Sequence, residues 1–115
     1  RPVLGVWAPP GHYTVVLNVD GQSWRQPLTV APDPRVSATA QDYKRAFDLA
    51  RRIEADRVRA HTALAKAKSE ALAAVVKRLD DLAQAVDGAD GPPTPDAERG
   101  YDQASAALAP LLAKP

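Results

Sequence analysis

The chain has 115 residues, with 15 Lys and Arg against 14 Asp and Glu, and neither cysteine nor methionine. That length suits one small domain or a piece of a larger one, burying about two-thirds of its unfolded surface. A formal net charge of +1 gives no field that would draw nucleic acid or an anionic membrane, and the lack of cysteine excludes disulfides, thiolate metal sites and cysteine nucleophiles. No apolar run approaches the ~20 residues of a membrane span, and the first residues do not read as a signal peptide. Eleven prolines beside an Ala-rich middle divide the chain into two unlike parts, a β segment over 1–36 and a helical segment over 37–115.

Within the β segment, Val3 to Trp7 reads as a short strand ended by Ala8-Pro9-Pro10-Gly11. Tyr13 to Val19 then alternates, and Asp20-Gly21 supplies a strong two-residue hairpin signal, because both residues tolerate φ > 0. The turn pairs Val19 with Gln22, Leu17 with Trp24, Val15 with Gln26 and Tyr13 with Leu28. Tyr13, Val15, Leu17, Val19, Trp24, Leu28 and Val30 therefore share one face and are the expected core of this part. His12, Thr14, Val16, Asn18, Ser23, Arg25 and Thr29 share the other. Pro27 falls opposite Thr14 at a non-hydrogen-bonded position, so the outer side of its strand is expected to be an edge.

The helical segment opens with Thr39 as N-cap and Asp42 three residues on, close to a capping box. From Asp42 to Val86 there is no Gly or Pro. Tyr43, Phe47, Ala50, Ile53, Val58, Leu64, Leu72, Val75, Leu79, Leu82 and Val86 recur at helical spacing, with Phe47, Ile53, Leu72, Leu79 and Leu82 as candidate core. Opposite charges at i,i+4 (Lys44/Asp48, Asp48/Arg52, Lys66/Glu70, Lys77/Asp81) fit solvated faces. An unbroken helix of that run would extend roughly 68 Å, whereas a compact domain of this size is about 35 Å across. A break in Lys66-Ala67-Lys68-Ser69 is the favoured resolution. Gly88 suits a C-cap, and Thr94-Pro95 starts a last helix with Tyr101, Ala104, Leu108 and Leu111 on its apolar side and Pro110 kinking or ending it. The expected fold is α+β: an antiparallel β-hairpin plus a short strand, then two or three Ala-rich helices at about 40–66, 69–87 and 95–112.

The hairpin's apolar face represents on the order of 10 kcal/mol of burial, as much as the whole stability of an ordinary domain, about 5–15 kcal/mol. Three strands cannot form a sandwich, so the face is expected to be covered by this chain's helices, by a second copy, or by strands outside this sequence. The opening Arg1-Pro2 adds to the expectation of a fragment.

Ala8-Pro9-Pro10-Gly11-His12-Tyr13-Thr14-Val15-Val16-Leu17, Val19-Asp20-Gly21, Gln26-Pro27-Leu28-Thr29-Val30 and Asp33-Pro34-Arg35-Val36 resemble a stretch near the C-terminus of large bacterial BNR-repeat β-propeller proteins of the glycosyl-hydrolase, sortilin-like (photosystem II stability factor-like) kind. The resemblance implies that residues 1–36 are the C-terminal strands of an immunoglobulin-like sandwich, that a helical segment follows, and that Pro93-Thr94 precedes its last helix. It also implies a tyrosine-corner role for Tyr13 and an exported, periplasmic or secreted setting. The propeller, where any active site would lie, has no counterpart here, so no catalytic residue carries over and no cofactor is implied.

Other constellations read as structure. His12 and His61 lack Asp, Glu or Cys at ligand spacing. Asp87 to Pro93 with Glu98 departs from a calcium loop at Ala89, Gly91 and Pro92. Adjacent Asp80 and Asp81 point about 100° apart on a helix and cannot share a substrate atom. Arg51, Arg52, Arg57 and Arg59 are interleaved with Glu54 and Asp56. Trp7 and Trp24 could each stack a sugar ring, but packing is the plainer reading of both, and Trp7 is the less constrained. The expected function is a non-catalytic C-terminal accessory region of a larger propeller protein, serving domain packing or assembly, with the rest of that polypeptide or a second copy as partner. Two alternatives are an oligomerisation module pairing Phe47, Ile53, Leu64, Leu72, Leu79 and Leu82 between chains, and a carbohydrate-binding accessory module.

Overall fold

The structure, a computed structural model, describes residues 5–87 and 91–113. Its class is α+β: a two-stranded antiparallel sheet followed by three helices. Strands β1 (Gly11–Val19) and β2 (Gln22–Val30) pair in the register set by the turn, Leu17 opposite Trp24 and Thr14 opposite Pro27. Asp20 (φ 50°) and Gly21 (φ 80°) both occupy the left-handed region, which matches the right-handed twist of a two-residue hairpin. On the polar face, His12 Nδ1 lies 3.1 Å from Thr29 Oγ1, and the Ser23 hydroxyl donates to Asn18 Oδ1, both across paired positions. Residues 5–10 form no strand, so the expected third strand is missing among the described residues; Val3 and Leu4 lie outside them. Two prolines in succession before Gly11 leave that stretch without the donors a ladder needs.

Helix α1 (Ala40–Lys66) starts in a complete capping box: Asp42 N–H donates to Thr39 Oγ1 and Thr39 N–H to Asp42 Oδ2, each at 3.0 Å. It stops at Ala67, whose backbone is extended (φ −148°, ψ 103°). Helix α2 (Glu70–Asp87) then starts behind Ser69, whose Oγ accepts from Leu72 N–H at 3.3 Å. The helix therefore breaks where the length argument expects, with a serine cap supplying the restart signal in place of Gly or Pro. Helix α3 (Pro95–Leu112) begins behind Thr94, whose Oγ1 accepts from Ala97 N–H at 3.1 Å, with Pro95 at the first position. It runs two residues past Pro110 rather than ending there. The expected cap Gly88 lies outside the described residues.

The three helices pack on one another. The ion pair Arg45–Glu98 at 2.9 Å sets the starts of α1 and α3 side by side, and the short 67–69 link folds α2 back between them. At Gly100 a Cβ would meet Leu82 Cδ2 at 3.1 Å, so a larger residue there would require the Leu82 methyl to shift by a few tenths of an ångström. The core is Leu49, Ile53 and Ala60 of α1, Leu72, Val75, Val76 and Leu79 of α2, and Tyr101, Ala104 and Leu108 of α3. Ile53, Leu72 and Leu79 are buried as expected, and Leu64 and Leu82 pack against them. Ile53, Leu72 and Leu79 are thereby packed within one chain, whereas Leu64 and Leu82 remain partly exposed. Phe47 is only half-buried, and Val58 is exposed.

The ribbon behaves otherwise. No Cα of either strand lies within 8 Å of a helix Cα. The expected core residues of this face are corrected accordingly: Val15, Leu17, Val19, Trp24 and Leu28 are 45–57 % exposed, and Tyr13 and Val30 are half-buried. The main apolar stripes of the helices close on each other and not on the ribbon. The radius of gyration, 17.3 Å with extents of 46 × 43 × 24 Å, exceeds the about 13 Å of a compact chain of this length, as a projecting hairpin requires.

Candidate functional site

Two features stand out: the uncovered ribbon face and an apolar crevice at its foot. The crevice lies between the 5–10 stretch, the 31–36 loop and the first turns of α1. Its volume is about 410 Å³, with Trp7, Pro9, Val36, Phe47 and Val86 among its walls. A second hollow of about 530 Å³ on the other side of Tyr43 and Phe47 reaches His12 and Thr29. Helix α1 is thus apolar on two faces at its start: Leu49 and Ile53 enter the bundle, while Tyr43, Phe47 and Ala50 line the crevice. The Tyr13 hydroxyl donates to the Pro9 carbonyl, tying the 5–10 stretch to the start of β1 as a tyrosine corner does. Trp7, on the crevice wall, is 72 % exposed.

The carboxylates near these features are engaged. Asp33, on the crevice wall, accepts from Arg35 Nε (3.1 Å), Nη2 (2.9 Å) and backbone N–H (2.9 Å), and Arg35 holds its carboxyl below the usual range. Glu54 accepts from Arg57 Nη1 at 2.8 Å. On the bundle surface, Asp80 receives Arg57 Nε at 2.8 Å and faces His61 Nε2 at 2.9 Å. Burial alone would raise its carboxyl, but the hydrogen bonds and charges of His61 and Arg57 hold it below 3.8. Asp81 pairs with Lys77 at 3.0 Å, so the adjacent aspartates serve different partners. The arginine cluster is likewise occupied within the chain: Arg51 lies 5.6 Å from the Phe47 ring centroid, Arg52 5.3 Å from that of Tyr101, and Arg59 pairs with Asp56. Lys44 holds Asp48 at 2.9 Å, whereas Lys66 and Glu70 fall on either side of the helix break.

Sequence reasoning missed Asp56. It is 1 % exposed in the bundle core, where the Tyr101 hydroxyl donates to its Oδ2 at 2.9 Å. Burial first, and then this bond to a carboxylate, push the Tyr101 phenol above 10. The buried stripe of α1 runs Leu49, Ile53, Asp56, Ala60. The aspartate interrupts its apolar pattern and makes the neighbouring Phe47 and Val58 look like the core face. Among the described residues no cluster of three His, Asp or Glu could hold a metal ion. Among the described residues no helix is long and apolar enough to cross a membrane. Chemically the arrangement offers apolar contact and backbone edges. No known family model, curated protein or solved structure matches the chain.

Proposed function

We propose that this chain is a non-catalytic accessory region of a larger BNR-propeller, glycosyl-hydrolase-like protein, with a helical bundle that presents a β-ribbon to the rest of that polypeptide. The uncovered ribbon face carries this reading. A two-stranded hairpin is marginal in water by itself, and one with Val15, Leu17, Trp24 and Leu28 about half exposed is built to be covered. The Tyr13–Pro9 bond fits the immunoglobulin-like sandwich that the resemblance implies. The non-catalytic part is supported by the carboxylates. Glycoside hydrolysis needs one carboxylic acid with a raised pKa as proton donor, whereas Asp33 and Asp80 are both held low and Glu54 is paired with Arg57.

The purified chain is expected to leave a panel of aryl glycosides unhydrolysed; turnover abolished by replacing one carboxylate would overturn this reading. A second reading is favoured by Trp7, 72 % exposed beside the crevice: a sugar ring stacked on its indole. Saturable quenching of tryptophan fluorescence by a soluble glycan, lost in Trp7→Ala, would establish it.

A further inference from the structure

We infer that the outer edge of β1, and not that of β2, is where the next strand joins this sheet, and that this strand is supplied by the same polypeptide. The inference rests on the accessory reading above and adds which edge is used and by what. In the observed register Val19 and Gln22 close the two-residue turn as a hydrogen-bonded pair, so the pairs at 18/23, 16/25, 14/27 and 12/29 are non-hydrogen-bonded and turn their backbone groups outward. On β1 these are His12, Thr14, Val16 and Asn18, an unbroken row with no backbone partner elsewhere among the described residues. On β2 the equivalent row is Ser23, Arg25, Pro27 and Thr29.

Pro27 puts a ring where the middle of an incoming ladder needs an N–H, and Arg25 adds a charge beside it. Proline and charge are the devices by which proteins close an edge; β2 carries both and β1 carries neither. The sheet is therefore terminated on one side and open on the other.

Area argues for the source. A ribbon of two nine-residue strands presents about 30 × 10 Å. Two copies, laid face to face or paired edge to edge through β1, would bury roughly 600 Å², below the about 1,000 Å² that a stable association of separate chains needs. A segment of the same polypeptide needs far less, because tethering supplies it at an effective concentration of about millimolar. The occupant is thus an extended segment with apolar residues at alternate positions, joined in cis.

The test titrates the isotope-labelled full chain with a capped strand peptide, Lys-Thr-Val-Thr-Val-Thr-Val-Thr-Lys, up to about the millimolar concentration that tethering would provide. Saturable amide shifts are expected at His12, Thr14, Val16 and Asn18. Val16→Pro is expected to weaken binding about tenfold through one lost hydrogen bond and a ring clash, and Arg25→Pro to leave it unchanged. Cross-strand contacts between Leu17 and Trp24 report that the hairpin persists in each variant. A peptide with proline at its centre is expected to bind as weakly as Val16→Pro without touching the protein. Shifts at Ser23, Arg25 and Thr29 instead would overturn the edge assignment while leaving the accessory reading standing. No shift on either edge overturns the inference outright. A concentration-dependent dimer in sedimentation equilibrium would overturn the cis assignment. Glycoside turnover, by contrast, would strike only the accessory reading.

Discussion

The bundle and the ribbon are made of similar apolar side chains and treat them in opposite ways. In the bundle, Leu49, Ile53, Leu79 and Leu108 are at most 1 % exposed; in the ribbon, Leu17 and Leu28 are about half exposed. The difference lies in geometry rather than composition. Three helices joined by short links offer each apolar stripe two neighbours, and their stripes close on one another. A two-stranded ribbon has one face and no second layer. Self-sufficiency in this chain is thus a property of the helical part alone, and the ribbon's oily side is surplus until something lies on it.

The largest expected effect breaks the contrast between two leucines. Leu79→Ala in the core is expected to cost about 2–5 kcal/mol, whereas Leu17→Ala on the ribbon is expected to stay within about 0.5 kcal/mol, both read as urea midpoints from far-UV circular dichroism. Equal losses would mean that ribbon and bundle share a core. Next comes the polar contact inside the bundle. Tyr101→Phe strips Asp56 of one of its two partners and is expected to cost about 1.5–3 kcal/mol, as for a hydrogen bond to a charged group.

The smallest effect concerns the surface cluster joining α1 to α2. The folded-state carboxyl of Asp80 lies below 3.8 because His61 and Arg57 hold its ionised form against the opposing effect of burial. A depressed carboxyl contributes stability that is present above its unfolded value and is lost as pH falls through the folded one. The urea midpoint of the chain is therefore expected to fall more steeply than that of Asp80→Asn only below about pH 4. Parallel curves at all pH values would show that the cluster contributes nothing.

How much of this was legible in the sequence follows the range of the interactions involved. The hairpin register is a local consequence of Asp20-Gly21 and of period-two alternation. The caps at Thr39 and Thr94 are equally local, and the α1–α2 break follows from chain length against domain size. What lies over a face is long-range information. The exposure of Trp24 and Leu28 could not be read from alternation, which says only that they point the same way. Asp56 was hidden for a related reason: a carboxylate belongs in a core stripe only because a tyrosine 45 residues on arrives to bond it. The crevice at Trp7 and Phe47 depends on how the 5–10 stretch returns toward α1, which no periodicity records.

The most direct measurement is the solvent access of Trp24 in the chain carrying Trp7→Phe. Because Trp24 stands 51 % exposed on a strand with no Cα within 8 Å of a helix Cα, its emission should resemble that of free N-acetyltryptophanamide, and acrylamide should quench it at roughly half the rate of the free compound. Blue-shifted emission that resists acrylamide until urea unfolds the chain would mean the helices already cover the ribbon, and the face would have nothing left to bind.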